Sequence, residues 1–155
     1  MWGVPIEQVT LTTMGTSDAI KTKDAPPPVG AYPHAKRLGN LLFLSGIGPR
    51  SATGGAIPGV TLDDKGEIAS YDIEAQCHAV FANVRAVLES AGACWDDLVD
   101  VTVYLTNIRN DFEAYNRVYA EYFSSDGPTR TTVEVNRLPT PIAIELKCIA
   151  EAKPK

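Results

Sequence analysis

The sequence predicts an α+β layer: one β-sheet with two helices packed on a single face. The first observation is a helical stripe over 72–91, "DIEAQCHAVFANVRAVLESA", in which Ile73, Cys77, Val80, Phe81, Val84, Val87, Leu88 and Ala91 recur on one side. The second is another amphipathic stretch over 111–123, "DFEAYNRVYAEYF". The third is the set of short β-type runs around them, at 35–46, 98–106, 130–135 and 142–149. The order ββ-α-β-α-ββ lets both helices cover one face of one sheet, and leaves nothing in the chain to cover the other. "VDVTVYL" and "IAIELKCIA" read as apolar on more than one face. Left open, such a surface would be a large apolar patch, so the sequence predicts an oligomer that buries it.

Taken in order, residues 1–24 read as an N-terminal arm with one edge strand at "EQVTLTT", and 25–155 as the single domain. The three prolines of "KDAPPPVG" can neither donate to a sheet nor sit inside a helix. "AKRLGNLLFLSG" predicts a hairpin turning at Gly39-Asn40. "GPRSATGGAIPG" is a loop by its Gly, Pro and Ser content. Gly92 is placed to end the first helix. Asn110 or Asp111 can cap the second. Phe112, Tyr115, Tyr119, Tyr122 and Phe123 lie on or near one side of that helix and read as core.

A chain of 155 residues, 45% of them hydrophobic, can bury a core without disulfides or metal. The net charge of −5, from 19 acidic and 14 basic residues with no Lys/Arg cluster, argues against a nucleic-acid partner. Cys77, Cys94 and Cys148 are odd in number and lack any metal spacing, which fits reduced thiols in a cytoplasm. The N-terminus lacks the basic and apolar regions of a signal peptide, and no apolar run has the length of a membrane span. His34 and His78 have no third ligand near them, so no metal site is expected. No P-loop, G-x-S-x-G or G-x-G-x-x-G is present.

Arg130 opens one strand and Glu145 sits in the middle of another, between Ile144 and Leu146. The two strands read as adjacent, and spacing alone also allows both residues to lie on the surface. If they are partly buried, each charge needs a partner. An arginine offers a fork of donors to a substrate carboxylate. A glutamate in apolar surroundings has a raised pKa and can trade protons with substrate or water. Together they suit water addition to a small acid.

"GPTRTTVEVNRLPTPIAIEL" resembles the signature of the Rid (reactive intermediate deaminase, or YjgF) family, with a small residue before Arg130, a V-x-V-x-x-LP run and an aliphatic-Glu step at Glu145. "APPPVGAYPHA", "LLFLSG", "NVRAVLESAGACWDDLV" and "TVYLTNIRNDFEAYNRVYAEYF" resemble other family features in the same order, over roughly 25–150. The resemblance implies a chorismate-mutase-like fold and a homotrimer, or a dimer of trimers, with sites between subunits. It implies hydrolysis of enamines and imines to ketones and ammonia without a cofactor. Carried over by residue, Arg130 would bind the substrate carboxylate and Glu145 would activate water. Tyr32, Ser45, Gly46 and Asn116 would line the pocket, together with Thr132, which stands where many members carry cysteine or serine.

"YPHAKRLGNLLFLSG", the longer loop over 48–70 and "GPTRTTV" are similar to the 2-aminomuconate deaminase subgroup. 2-Aminomuconate has two carboxylates, and His34 and Arg50 are candidates for the second; each reads equally well as structural. The resemblance therefore implies hydrolysis of 2-aminomuconate to 4-oxalocrotonate in aromatic-compound degradation. The alternatives are a general 2-aminoacrylate or 2-imino acid deaminase and a non-enzymatic trimer that binds a small ligand. A ribonuclease, a label attached to some members, fits poorly with the charge.

Overall fold

The computed structural model of the chain describes residues 18–153. The edge strand expected at 7–13 lies outside them. Eight strands and two helices follow in order: β1 (Asp18–Ile20), β2 (Ala35–Leu38), β3 (Leu41–Leu44), β4 (Val60–Leu62), β5 (Ile68–Tyr71), α1 (Ile73–Ser90), β6 (Leu98–Leu105), α2 (Ile108–Tyr122), β7 (Thr129–Glu134) and β8 (Ile144–Glu151). Six strands form one sheet in the order β1-β2-β3-β8-β6-β7. All of its pairings are antiparallel except β6 with β7. The two helices cover one face, as the α+β reading expects.

The hairpin β2–β3 turns where expected. Leu38 pairs with Leu41, and Gly39 takes a φ of 59° that a side chain would resist. The Asp72 side chain caps α1 by accepting from the N–H groups of Glu74 and Ala75. Gly92, at a φ of 75°, follows its C-cap, and the Arg37 guanidinium donates to the Ala91 carbonyl at 2.6 Å. The helix-facing positions of the central strands are Val101, Val103 and Leu105 on β6, and Ile144, Leu146, Cys148 and Ala150 on β8, all buried. They pack on Cys77, Val80, Phe81, Val84 and Leu88 of α1 and on Tyr115 and Val118 of α2. Burial pushes the Cys77 and Cys148 thiols up to about 12, so both are inert apolar filler.

Four expectations need correction. The strands carrying Arg130 and Glu145 are not neighbours, because β6 runs between β7 and β8. A strand with a partner on each side is the natural place for the apolar β6 sequence. The open face of the sheet is mixed rather than apolar. Asp100, Thr102 and Tyr104 of β6 face it, with Glu145, Lys147 and Ile149 of β8 beside them, because β8 alternates throughout and β6 alternates after the irregularity between Leu98 and Asp100. The cap of α2 is Asn107, whose side chain accepts from the Asn110 N–H, while the Glu134 carboxylate accepts from the Ile108 N–H at 2.7 Å. Asp111 turns inward instead and accepts a 2.7 Å hydrogen bond from the Tyr71 hydroxyl. Finally, part of the loop over 48–70 is the separate hairpin β4–β5. Its Glu67 is paired with Arg137, and Tyr71 ties its base to α2.

Asn107→Ala should lower stability by about 1 kcal/mol, the usual worth of an N-cap. Asn110→Ala should leave it nearly unchanged. Urea unfolding midpoints of the two variants test which residue caps the helix.

Candidate active site

Arg130 stands on β7 opposite Val101, and Glu145 stands on β8 opposite Tyr104. Paired residues share a face, and residues an odd number apart on one strand point to opposite faces. Positions 101 and 104 differ by three, so Arg130 and Glu145 leave the sheet in opposite directions. Within one copy of the chain they cannot meet. The structure builds two half-sites.

The first half-site lies between β7 and α2. The Arg130 guanidinium carbon sits 4.6 Å from the centre of the Tyr119 ring and 5.5 Å from that of Tyr115. These ring faces attract the cation without consuming its N–H groups. The ion pairs among the described residues are Arg117–Glu74 and Arg137–Glu67, so Arg130 keeps its donors for a ligand. Burial pushes the Tyr115 and Tyr119 phenols up while the Arg130 charge opposes, so both rings stay neutral. Ile108, Phe112 and Thr132 line the same open cavity. The Thr132 hydroxyl is buried and has no hydrogen-bond partner there, an unused donor beside the arginine. Asn116 follows Phe112 by one helical turn and lies half-buried on the same side of α2.

The second half-site lies on the other face, where β8 meets the segment after β3. Ile47 exchanges two 2.9 Å backbone hydrogen bonds with Leu146, the residue after Glu145. This brings Gly46 directly under the carboxyl. A Cβ at Gly46 would stand 2.4 Å from Glu145 Oε1, so only glycine leaves room for it. Tyr32, Arg50, Val29, Pro139 and Thr140 complete a cleft of about 110 Å³ around the acid. Tyr32 is 41% exposed at its rim. Burial raises the Glu145 pKa, and the nearby Arg50 charge partly opposes the rise.

The sequence-derived candidates divide between these halves. Arg130 and Thr132 fall in the first, with Asn116 one helical turn from its wall residue Phe112 but not in its lining. Glu145, Gly46, Tyr32 and Arg50 fall in the second; Ser45 does not line that cleft, and its hydroxyl donates to the Pro33 carbonyl at 2.7 Å. His34 is a correction. It is 7% exposed; its Nδ1 accepts from the Thr22 N–H at 3.3 Å and its Nε2 donates to the Pro26 carbonyl at 3.0 Å. Both ring nitrogens are thus taken by the backbone, leaving none for a second carboxylate. The sequence reading missed Phe112, assigned to the core but 38% exposed against the Arg130 cavity. It also missed Tyr119 as the seat of the arginine and Pro139-Thr140 as a cleft wall. The "RLPTP" run was the one local sign of the last. Among the described residues no set of three His, Cys, Asp or Glu side chains converges as a metal site would need.

A family model described as Endoribonuclease L-PSP matches residues 22–152. A RutC family protein of Pyrococcus horikoshii is 42% identical over 134 residues, which is 86% of this chain and 96% of its own length. A 2-iminobutanoate/2-iminopropanoate deaminase of Dermatophagoides farinae is 37% identical over 137 residues, 88% of this chain and 97% of its own. Among solved structures, E. coli TdcF with bound serine superposes with a TM-score of 0.75 at 32% identity, covering 88% of this chain and 99% of that one. With motifs, topology and relatives in agreement over the same residues, this chain belongs to the YjgF/Rid family.

Proposed function

We propose that the chain is an imine and enamine deaminase that hydrolyses small carboxylate-bearing substrates to ketones and ammonia, at sites shared between copies of itself in a homotrimer. The single observation that carries this reading is the opposite placement of Arg130 and Glu145. One face presents a cation with no carboxylate partner among the described residues, and the other presents a carboxyl with raised pKa whose neighbouring arginine, Arg50, already donates to the Pro27 carbonyl. Each half lacks what the other supplies, and a second copy set against the first supplies it. The family membership, and a relative named for deaminating 2-iminobutanoate and 2-iminopropanoate, support the same chemistry.

The steps follow from the groups available. Arg130 takes the substrate carboxylate in a two-pronged hydrogen bond and fixes the neighbouring C=N carbon over the acid. An enamine first gains a proton at carbon and becomes the iminium. The Glu145 carboxylate then removes a proton from water as the water oxygen bonds to that carbon, giving a carbinolamine. The same carboxyl returns the proton to nitrogen. The C–N bond breaks, its electron pair leaves with ammonia, and loss of the hydroxyl proton leaves the ketone. The sum is imine plus water giving ketone plus ammonia.

Arg50 favours a narrower reading. It stands beside Glu145 and is the second arginine of the composite site, which favours a dicarboxylate such as 2-aminomuconate, hydrolysed to 4-oxalocrotonate, over 2-aminoacrylate. A ribonuclease reading finds little support in a chain of net charge −5.

Arg130→Ala should lower kcat/KM by about 10–100-fold, the worth of a hydrogen bond to a charged group. Glu145→Gln should lower kcat by about 100- to 10,000-fold through loss of the acid–base group. Co-refolding the two variants should restore about a quarter of wild-type activity, since one interface in four joins both intact halves. No recovery on mixing would show that the halves do not share a site.

Ammonia release should be measured from 2-aminomuconate generated in situ beside 2-aminoacrylate. Preference for the dicarboxylate, lost in Arg50→Gln, supports the narrower reading. Turnover of 2-aminoacrylate alone supports the general deaminase, and saturable binding of both without ammonia release supports a ligand-binding protein.

A further inference from the structure

Asn83 lies on α1 at the level of the apolar stripe and is 9% exposed. A buried amide is costly unless its donors are used. Both are: Asn83 Nδ2 donates to the Gly48 carbonyl at 2.9 Å and to the Arg50 carbonyl at 2.8 Å. These two carbonyls belong to the segment that leaves β3 and carries the floor of the Glu145 cleft. At its other end the segment is fixed by the paired hydrogen bonds of Ile47 with Leu146. A Cβ at Gly48 would stand 2.7 Å from Ile142 Cδ1, so the segment runs close against the residues that lead into β8. From this clamped backbone the Arg50 side chain turns back to the cleft, where its guanidinium also donates to the Pro27 carbonyl at 2.6 Å.

We propose that Asn83 is a positioning residue for the acid–base carboxyl: by fastening the Gly48 and Arg50 carbonyls to α1, it holds the Arg50 guanidinium beside Glu145. The proposal rests on the reading of Glu145 as the acid–base group. The other titratable groups facing the carboxyl are few. Tyr104 is its cross-strand neighbour on β6, and Tyr32 lines the same cleft. Lys147 follows two residues along the same face, but its amine donates to the Leu44 carbonyl and is directed towards β3. The loop wall, Pro139, Thr140 and Ile142, carries no charge. Within one copy Arg50 is therefore the cation that offsets burial of the acid, held through its backbone by the clamp and at its guanidinium by the Pro27 carbonyl; in the proposed assembly Arg130 of a second copy faces the same carboxyl and is unchanged in every variant compared. An arginine drifting into solvent would leave the carboxyl protonated to a higher pH, where it could not accept a proton from water.

The test reads the acid directly, so it does not depend on turnover. The Glu145 carboxyl resonance is identified by its loss in Glu145→Gln and titrated by carbon-13 NMR in the wild type, Arg50→Gln, Asn83→Ala and the double variant. Arg50→Gln and Asn83→Ala should both move the midpoint upward, and adding the second change to Arg50→Gln should move it no further. Asn83→Ser, which keeps one donor, should give a smaller upward shift and serves alone if the alanine variant does not fold. An unmoved midpoint in a folded Asn83 variant, or shifts that add in the double variant, would reduce Asn83 to a structural amide and overturn the proposal. Ammonia release by the same proteins is a separate readout. If the midpoints move as expected while the wild type releases no ammonia, the deaminase reading fails and the positioning role stands.

Discussion

The alternation of side chains along β8, and along β6 from Asp100 onward, is the constraint on which the rest depends. Every second residue of these central strands is buried beneath the helices, and a slip of one position would turn that whole set towards solvent. The register is therefore held by the core. Once it is held, the residues between the buried ones have no choice of direction. Glu145 must leave by the open face because Ile144 and Leu146 fill the covered one. Arg130, in register with Val101, must leave by the helix side. The separation of the two functional groups is thus a consequence of packing, and a shared site requires a second copy of the chain.

Each candidate half-site holds a charge without a close ion pair among the described residues. Beside Arg130 the setting is aromatic. Tyr115 and Tyr119 present ring faces to the guanidinium, which steadies it while its hydrogen-bonding edge stays unused. Beside Glu145 the setting is space and distance. Gly46 gives the carboxyl room, burial favours its neutral form, and Arg50 restrains that tendency. A tight ion pair at either place would have stabilised the group and removed it from chemistry.

The elements around the halves serve mainly to hold loops. The Tyr71–Asp111 bond and the Arg137–Glu67 pair anchor the inserted hairpin β4–β5. Arg137 also begins the run to Pro139 and Thr140, which wall the Glu145 cleft. On the other side, His34 fastens the proline segment to the body by both ring nitrogens. Its prominence in the sequence reflects that backbone task.

Much of the fold was legible in the sequence, because helix and strand periods are local properties. The stripe from Ile73 to Leu88, the Gly39-Asn40 turn and the β-branched run of β6 each specify their own element. Glu145 stands out in the sequence as a charge between Ile144 and Leu146, whereas Arg130, between Thr129 and Thr131, stands out through the family resemblance. What the local pattern could not hold was adjacency. The insertion of β6 between β7 and β8, the opposite faces of the two charges and the exposure of Phe112 all depend on which strands pair and in what register. Asn107 rather than Asp111 caps α2 because Asp111 finds Tyr71, a partner forty residues away. His34 could be read either as a ligand or as structural, and the backbone of Thr22 and Pro26 folded against it decides for the latter. The sequence by itself determined which residues carry charge and which segments carry period. The tertiary structure alone decided which charges face each other, because direction in a sheet is set by neighbours that the chain reaches only after folding.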